Sequence, residues 1–576
     1  MTKQDIARVL REIAFFLRFN GDNPFKARAY ERAASSLLLS TEELSCLVKG
    51  EGLMRLVDVG PGTASVIRDL ATTGWSQLHR TVQGAYPSSL AELGEVPGLR
   101  FKQIRKLYER AGISTLAGLQ EACRANRLLS VKGIGPKIQQ RMMSALGEYQ
   151  RGRGYRLLAD VLEEAASLER ALSAGRGVRS VTAAGGLRRK MEVIDEFVFV
   201  VECRQGDGIA RVARQFNAVP YLTAVTASAD RLTAHTVSGM PVQVVFPLPD
   251  HLGVRLLQST GAQEHVDELL DRFAAVGLPS WRDVENRFSG AGEEELYRAL
   301  DLPCIPPEVR EGREDLDALK GRKTCSLVEA ADLQGCFHFH TDYSDGEDTV
   351  DAMVAAARAR GYRYVGISDH SRSAFYANGL KEPRIRRQWE EIEAVQGKHR
   401  DIHIFRGIEA DILPDGSMDY ADELLAEFDF VIASVHSRFN LPEADQTARI
   451  CRALANPYVT MLGHPTGRLL LSRPGYRVDM GRIFAAAAAH RKIIEINGSR
   501  HRLDMDWRWG RAGKAQGVRF CINPDAHAID EFRNVDYGVN VARKAGLLKA
   551  DVVNTLPLAG LQGLLKDMRP SESSVQ

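Results

Sequence analysis

The 576-residue chain has no run of about 18 apolar residues, so nothing in it reads as a membrane-spanning helix. It shows no cleavable leader either: Met1-Thr-Lys-Gln-Asp opens amphipathic helical text, and a cytoplasmic location is expected. Eight cysteines occur without one Cys-x-x-Cys pair, which excludes a zinc ribbon and a disulfide framework. Net charge is nearly absent, at +2. The imbalance that exists is local, because residues 1–150 carry 21 Lys and Arg against 14 Asp and Glu. A basic N-terminal region on a near-neutral chain points to a polyanion partner. Composition is otherwise ordinary for a globular protein, and the length implies three or four domains.

What the chain holds in excess is metal-type ligands, in seven short stretches between Gly335 and His527. His338-Phe-His340, Asp345, Asp369-His370, Glu409, His436, His464 and Asp525-Ala-His527 each end an expected β-strand. His338 and His340 are two residues apart, so on a strand their imidazoles face the same way and can grip one cation together. The apolar runs leading to Asp369, His436, His464 and Asp525 read as buried parallel strands. Helical text separates them at 349–360, 385–398, 418–428, 443–455 and 480–490. Strand alternating with helix implies a parallel sheet or barrel, and active sites collect at barrel strand C-termini. Mixed imidazole and carboxylate ligands suit Mn²⁺, Zn²⁺ or Fe²⁺ better than Mg²⁺ or Ca²⁺. Such ions lower the pKa of a shared water and neutralise phosphate oxygens, which makes phosphoester hydrolysis the natural chemistry. Arg372, Arg438 and Arg468 each follow a ligand within four residues and are candidate phosphate clamps.

Three times in the first 145 residues a glycine turn opens helical text: Val59-Gly60-Pro61-Gly62, Val96-Pro97-Gly98-Leu99 and Gly133-Ile134-Gly135-Pro136-Lys137. Glycine lets backbone N–H groups at a helix N-terminus approach phosphate closely, and such contacts are indifferent to base sequence. The candidate phosphate-backbone contacts are Gly60, Gly62, Gly98, Lys102, Gly133, Gly135 and Lys137. The middle turn carries Arg100 where a second glycine is expected, which weakens its grip.

The ordered ligand series over about residues 335–570 resembles the PHP (polymerase and histidinol phosphatase) superfamily. That resemblance implies a distorted α/β barrel with up to three divalent ions. One is held by His338, His340, Glu409 and Asp525; a second shares Glu409 with His436 and His464; a third takes Asp345, His370 and His527. It casts His338, His340, Glu409, Asp525 and His527 as the catalytic set. The glycine turns resemble helix-hairpin-helix motifs and, behind Asn23-Pro-Phe-Lys-Ala-Arg-Ala-Tyr, the N-terminal domains of bacterial family X DNA polymerases. The likeness continues through Gly185-Gly-Leu-Arg-Arg-Lys-Met-Glu192, Ser259-Thr-Gly-Ala-Gln-Glu-His265 and Ile305-Pro-Pro-Glu-Val-Arg-Glu311. It implies a multidomain α+β and α/β chain. Helical DNA-binding text occupies 1–80 with the first hairpin, and fingers-like hairpins occupy 81–150. A nucleotidyltransferase-like palm spans 151–250, a thumb-like segment 251–320, a linker 321–334 and the barrel 335–570.

Family X palms hold two Mg²⁺ ions on three aspartates. Here the matching positions are Glu196, Val198 and Gln243. Valine cannot coordinate and glutamine lacks the charge, so synthesis is expected to be lost. The leading expectation is a metal-dependent DNA phosphoesterase of repair. It is read as a 3′→5′ exonuclease, with abasic-site endonuclease and 3′-phosphatase activities beside it. The alternatives are an active family X polymerase edited by its barrel, a histidinol-phosphate type phosphatase and a non-catalytic DNA-end scaffold. The expected partner is DNA, bound without sequence preference by a monomer and without a membrane.

Overall fold

The computed structural model describes residues 1–570 apart from 2, 41–43, 50, 57, 97–98, 152–153, 205–208, 218, 220–221, 229, 313–315, 317–319 and 322–325. In the first helix, Lys3–Asn20, the buried residues Ile6, Leu10, Ile13 and Leu17 recur every three or four positions, the spacing of one helical face. That face packs on Pro24–Leu39, whose start is set by Pro24 at its first position and by Asn23, whose side chain accepts from Phe25 N–H. Apolar side chains from Ile6 to Leu146 then form one continuous core, so both hairpin-bearing regions pack together. Arg105 closes the seam by donating to Phe19 C=O at 2.6 Å.

The palm region is a five-stranded sheet of β1 (Val178–Ala183), β2 (Phe197–Cys203), β3 (Leu222–Ala227), β4 (Arg231–Thr236) and β5 (Pro241–Val245), in the order β1-β2-β5-β4-β3. Only β2 and β5 run parallel, with Val198 beside Gln243. Helices Leu252–Thr260, Gln263–Ala275, Trp281–Arg287 and Glu293–Ala299 follow.

The C-terminal region is a seven-stranded parallel sheet in simple sequence order: β6 (Gly335–Cys336), β7 (Tyr364–Ile367), β8 (His403–Asp411), β9 (Phe430–Ser434), β10 (Met461–Leu462), β11 (Ile493–Asn497) and β12 (Arg519–Asn523). It curls until its ends meet. Phe339 bridges Ala526, His340 N–H donates to Ala526 C=O at 2.8 Å, and the barrel is nearly closed. Period-two alternation grades the interior from apolar to polar along each strand. On β8 the inward series is Phe405, Gly407, Glu409; on β11 it is Ile493, Glu495, Asn497; on β12 it is Cys521 and Asn523, with Asp525 two residues past the strand end. Phe337, Tyr364, Phe405, Phe430 and Met461 plug the lower end with Leu561 and Leu565 of helix Leu558–Asp567. Gly407 is required there, because a Cβ would stand 2.1 Å from the Phe430 ring.

Two sequence expectations are corrected. Asp345 ends no strand: it lies in a turn held by Gly346, whose missing Cβ leaves room for His340 C=O. The seventh strand is instead β11, behind the alanine-rich helix Met480–Ala489. The helix expected at 418–428 shrinks to Asp422–Leu425. Asp419 is diverted to accept from Asp411 N–H, Ser373 N–H and Ser371 Oγ, which folds residues 412–420 back against β8.

The palm and barrel regions are joined by buried polar contacts. Glu192 accepts from Trp507 Nε1 at 3.1 Å and Arg508 Nη1 at 2.8 Å. Lys544 reaches Glu311, Glu308 C=O and Arg189 C=O, and Arg189 also pairs with Glu311. Part of the family-like Arg-Arg…Glu motif is therefore engaged in holding two regions together. Among the described residues, no helix is long and apolar enough to cross a membrane.

Candidate metal centre

All nine ligand-type side chains read from the sequence converge on the polar end of the barrel. Glu409 is the hub: its carboxylate lies 3.3 Å from His338 Nε2, 3.8 Å from His340 Nε2, 2.8 Å from His370 Nδ1, 3.3 Å from His436 Nε2 and 2.9 Å from His464 Nε2. Asp525 Oδ1 stands 3.5 Å from His338 and 3.4 Å from His340. Asp345, at the outer edge, lies 3.6 Å from His370 and 3.5 Å from His527. Four overlapping groups have ligand atoms close enough to share an ion. They are His340 with Asp345, His370 and His527; His338 with His464 and Asp525; His338 with His340 and Glu409; and His370 with Glu409 and His436. The outermost group contains the expected third set and adds His340. His464 groups with His338 and Asp525, and its Nε2 also lies 2.9 Å from Glu409 and 3.3 Å from His436 Nε2, the set that the resemblance implies.

The inner atoms fit a cation. His338 Nε2, both ring nitrogens of His340, His370 Nδ1 and Glu409 Oε2 are buried and lack a hydrogen-bond partner. Leaving such an atom unsatisfied costs about 1–3 kcal/mol, and a clustered set of them is accounted for by a ligand that accepts lone pairs.

Electrostatics agree. Burial would raise Glu409, but His436, His338 and His370 hold its carboxyl well below the usual range. Burial would likewise raise Asp525, and His338, His340 and Arg502 hold it well below. His340 is pushed well below the ordinary imidazole range by burial and by His527 and His370, so it stays neutral with a free lone pair. Burial lowers His338 and His436, yet Glu495, Glu409 and Asp525 raise the first well above its usual range, and Glu409 and Asp411 raise the second to about 10. A divalent cation would take the place of those protons.

Several supporting residues were not singled out from the sequence. Glu495 Oε1 holds His338 Nδ1 at 2.6 Å, which turns Nε2 inward, and its other oxygen accepts from His464 N–H at 2.7 Å. Asp411 holds His436 Nδ1 at 2.7 Å in the same manner. Such carboxylate–histidine pairs fix ring orientation and raise ligand basicity. The one signal for Glu495 is a charge inside Ile-Ile-Glu-Ile-Asn, where a buried strand should be apolar. Asp369, read from the sequence beside His370 as a metal-type ligand, is instead fully buried, accepts from Thr341 N–H and Oγ1, and so shapes the turn that carries Asp345. Asp525 has φ of +51°, a left-handed backbone that bends the chain at the end of β12.

The three arginines differ. Arg372 and Arg438 are exposed, the first over the Tyr420 ring at 5.6 Å. Arg468 is bonded to Asp506 and to the carbonyls of Arg502 and Leu503, which ties its guanidinium into the neighbouring loop. Arg502, missed in the sequence, stands 3.3 Å from Asp525 Oδ2. Arg28 of the N-terminal region reaches Glu347 at 3.9 Å, and Glu347 N–H donates to His527 C=O, so that region touches the barrel mouth.

In the palm, Val198 and Gln243 are register partners, with Glu196 just ahead of the strand, two residues before Val198. Val198 is packed with Ala184, Val200, Val245, Leu252 and Leu256. In the hairpins, nothing lies within 4 Å of where a Cβ would stand at Gly60, Gly62 or Gly135, and none of the three has a positive φ. Internal packing does not demand glycine at these three positions. Gly133 has φ of +88° and lies against Lys106. The helix after the middle turn begins with Arg100 N–H donating to Gln103 Oε1, so that donor is already satisfied. Gly98 lies outside the described residues, and Lys102 and Lys137 sit in the first turns of helices Phe101–Ala111 and Pro136–Arg151.

The barrel with its histidine and carboxylate cluster, on the same chain as glycine-turn helical modules, defines a PHP-domain protein with helix-hairpin-helix modules. Residues 337–499 match the family described as PHP domain, 1–75 the helix-hairpin-helix domain, and 90–148 the SAM-like helix-hairpin-helix tandem. The chain is 33% identical to the "DNA polymerase/3′-5′ exonuclease PolX" of Bacillus subtilis (strain 168), over 98% of its own length and 100% of that protein's. It therefore belongs to the PolX family of DNA polymerase/3′-5′ exonucleases. The barrel alone is similar to proteins named "probable phosphatase". One, from Thermoanaerobacter sp. (strain X514), is 27% identical over 38% of this chain and 89% of that protein. Another, from Caldanaerobacter subterraneus, is 30% identical over 41% and 91%.

Proposed function

We propose that the chain is a metal-dependent DNA phosphoesterase acting as a 3′→5′ exonuclease, with abasic-site endonuclease and 3′-phosphatase activities as its wider range and with polymerase activity lost. One observation carries this reading: nine ligand-type side chains converge around Glu409, with buried nitrogen and oxygen atoms that make no hydrogen bond within the protein. His338, His340, Glu409 and Asp525 would hold one ion, Glu409 with His436 and His464 a second, and Asp345, His370 and His527 a third. The donors suit Mn²⁺, Zn²⁺ or Fe²⁺. When bound, such ions bring the pKa of water to about 7 and neutralise charge building on phosphate oxygens.

The protein's own groups do the rest. Glu495 and Asp411 fix which nitrogen of His338 and His436 faces the centre. Glu409 and Asp525 stay ionised at neutral pH, and Arg372 and Arg438 offer exposed guanidinium groups for phosphate. Arg502 is the better-placed cation beside Asp525, and Arg468 is committed to Asp506. The open glycines at 60, 62 and 135, with Lys102 and Lys137, support backbone binding of DNA by the N-terminal region. In the palm, the apolar packing around Val198 and the uncharged Gln243 support loss of synthesis. The similarity of the barrel to phosphatases favours removal of 3′-phosphates as a second activity of the same centre.

The test is digestion of 3′- and 5′-labelled DNA in Mn²⁺ by wild type, His340→Ala and Glu409→Ala. Wild type should shorten DNA from the 3′ end, and each substitution should lower the rate about 10³-fold or more while lowering bound metal. Equal digestion by all three would remove the centre from the chemistry. Primer extension with dNTPs and Mg²⁺ should give no product, and measurable incorporation would overturn the account of the palm.

A further inference from the structure

Immediately after His370, residues 371–380 form a closed turn. Gly379 approaches Ser371 C=O so closely that a Cβ would stand 1.9 Å from it, and Leu380 N–H donates to His370 C=O at 2.8 Å. Asp419 binds Ser371 Oγ and Ser373 N–H, and Arg384 binds Asn378 C=O at 2.8 Å. The inner residues Ala374, Ala377 and Leu380 are buried. The outer ones, Phe375 and Tyr376, are 86% and 63% exposed on the 3-10 turn Phe375–Ala377. Phe375 is the most exposed of the large apolar side chains among the described residues; the next is Phe25 at 66%. Folding does not call for such exposure, since a fixed turn could carry polar side chains at both positions.

The position of the pair identifies its ligand. The Tyr376 ring centroid is 6.4 Å from that of His370, so Tyr376 stands at the rim of the metal centre with Phe375 beside it, their centroids 6.0 Å apart. Exposed Arg372 lies on the same turn. A ligand with a planar apolar face joined to a phosphodiester matches rings beside a phosphoester centre, and that ligand is a nucleotide of a DNA strand. We propose that Phe375 and Tyr376 form a stacking subsite for the base of the 3′-terminal nucleotide. The subsite rests on the nuclease reading and extends it. Stacking is sequence-tolerant because every base has a π-face, and one base on an aromatic side chain changes affinity by about 5- to 150-fold.

The test uses the full chain in Mn²⁺ with two oligonucleotides, one ending in an ordinary 3′ nucleotide and one whose terminal sugar lacks its base. Wild type should prefer the first by about 5- to 150-fold in kcat/KM, chiefly through KM. Phe375→Ala/Tyr376→Ala should bring that ratio to about one, and the aromatic exchange Phe375→Tyr/Tyr376→Phe should keep it. In parallel, a 3′-terminal 2-aminopurine should be quenched by wild type and not by the double alanine variant. A ratio or quenching that is the same in wild type and the double alanine variant overturns the subsite. No cleavage of either oligonucleotide, with quenching intact, would retire the nuclease reading and leave the stacking subsite standing.

Discussion

Glu409 in the barrel and Glu196 in the palm face the same problem and respond in opposite directions. Burial raises the pKa of both. Around Glu409, imidazoles from four strand ends, led by His436, His338 and His370, overcome burial and keep the carboxylate ionised. At Glu196, burial is reinforced by Asp195 and opposed only by Arg231, so the carboxyl is raised above its usual value. A metal centre is thus a property of the whole cluster, since an acid keeps its charge in low dielectric only where its neighbours balance it. The barrel has retained that balance. The palm has valine in register with glutamine, where the resemblance puts two metal-binding aspartates.

The sharpest challenge to this contrast is to put charge back into the palm. Val198→Asp buries a carboxylate among Ala184, Val200, Val245 and Leu252, and should cost about 3 kcal/mol in urea unfolding of the full chain. A cost below about 0.5 kcal/mol, together with nucleotide incorporation by Val198→Asp/Gln243→Asp, would mean that the palm is poised and not retired. A smaller effect is expected from thinning the charge on the other side. Glu495→Gln keeps an acceptor for His338 Nδ1 but removes the negative charge beside it, and Mn²⁺ affinity should fall about 10- to 100-fold. Unchanged affinity in a metal titration would reduce Glu495 to a packing role.

Much of the centre was legible because barrel strands expose a two-residue period. The spacing of His338 and His340 predicted a common direction, and apolar runs ending in His or Asp predicted strand C-termini. The residues that orient those ligands were harder to see. Glu495 lies on a five-residue strand directly after alanine-rich helical text, and a single charge in that run does not reveal that two histidines need it. The turn at Asp345 and the shortened helix at Asp422–Leu425 depend on Gly346 and Asp419 meeting backbone groups that no local pattern identifies. The hairpin glycines were legible as turns, while the open space above three of them appears only in three dimensions. Least legible was the seam between palm and barrel, because Glu192 and its partners Trp507 and Arg508 are some 315 residues apart and owe nothing to local propensity.

That seam yields the smallest and most specific prediction. Burial would raise Glu192, but Arg508 and Arg468 hold its carboxyl below the usual range. A carboxyl depressed in the folded state contributes stability at every pH above its unfolded pKa, about 4.3 for glutamate, and that contribution is lost as pH falls through the folded value. Wild type should therefore lose palm–barrel stability as pH drops below about 4.3. Glu192→Gln removes the charge but keeps the shape and should cost about 1–2 kcal/mol at pH 7, because Trp507 Nε1 can still donate while Arg508 keeps only Asp506 as a charged partner and solvent screens the remainder. As pH falls from about 4.3 towards and through the folded value the gap between the two proteins should close, since the wild-type carboxyl is then protonated as well. Parallel urea unfolding curves at pH 7 and pH 4 decide the matter. A constant gap between wild type and Glu192→Gln at both pH values would mean that the seam is held by packing around Trp507, and that the charge of the Arg-Arg…Glu motif has no structural use there.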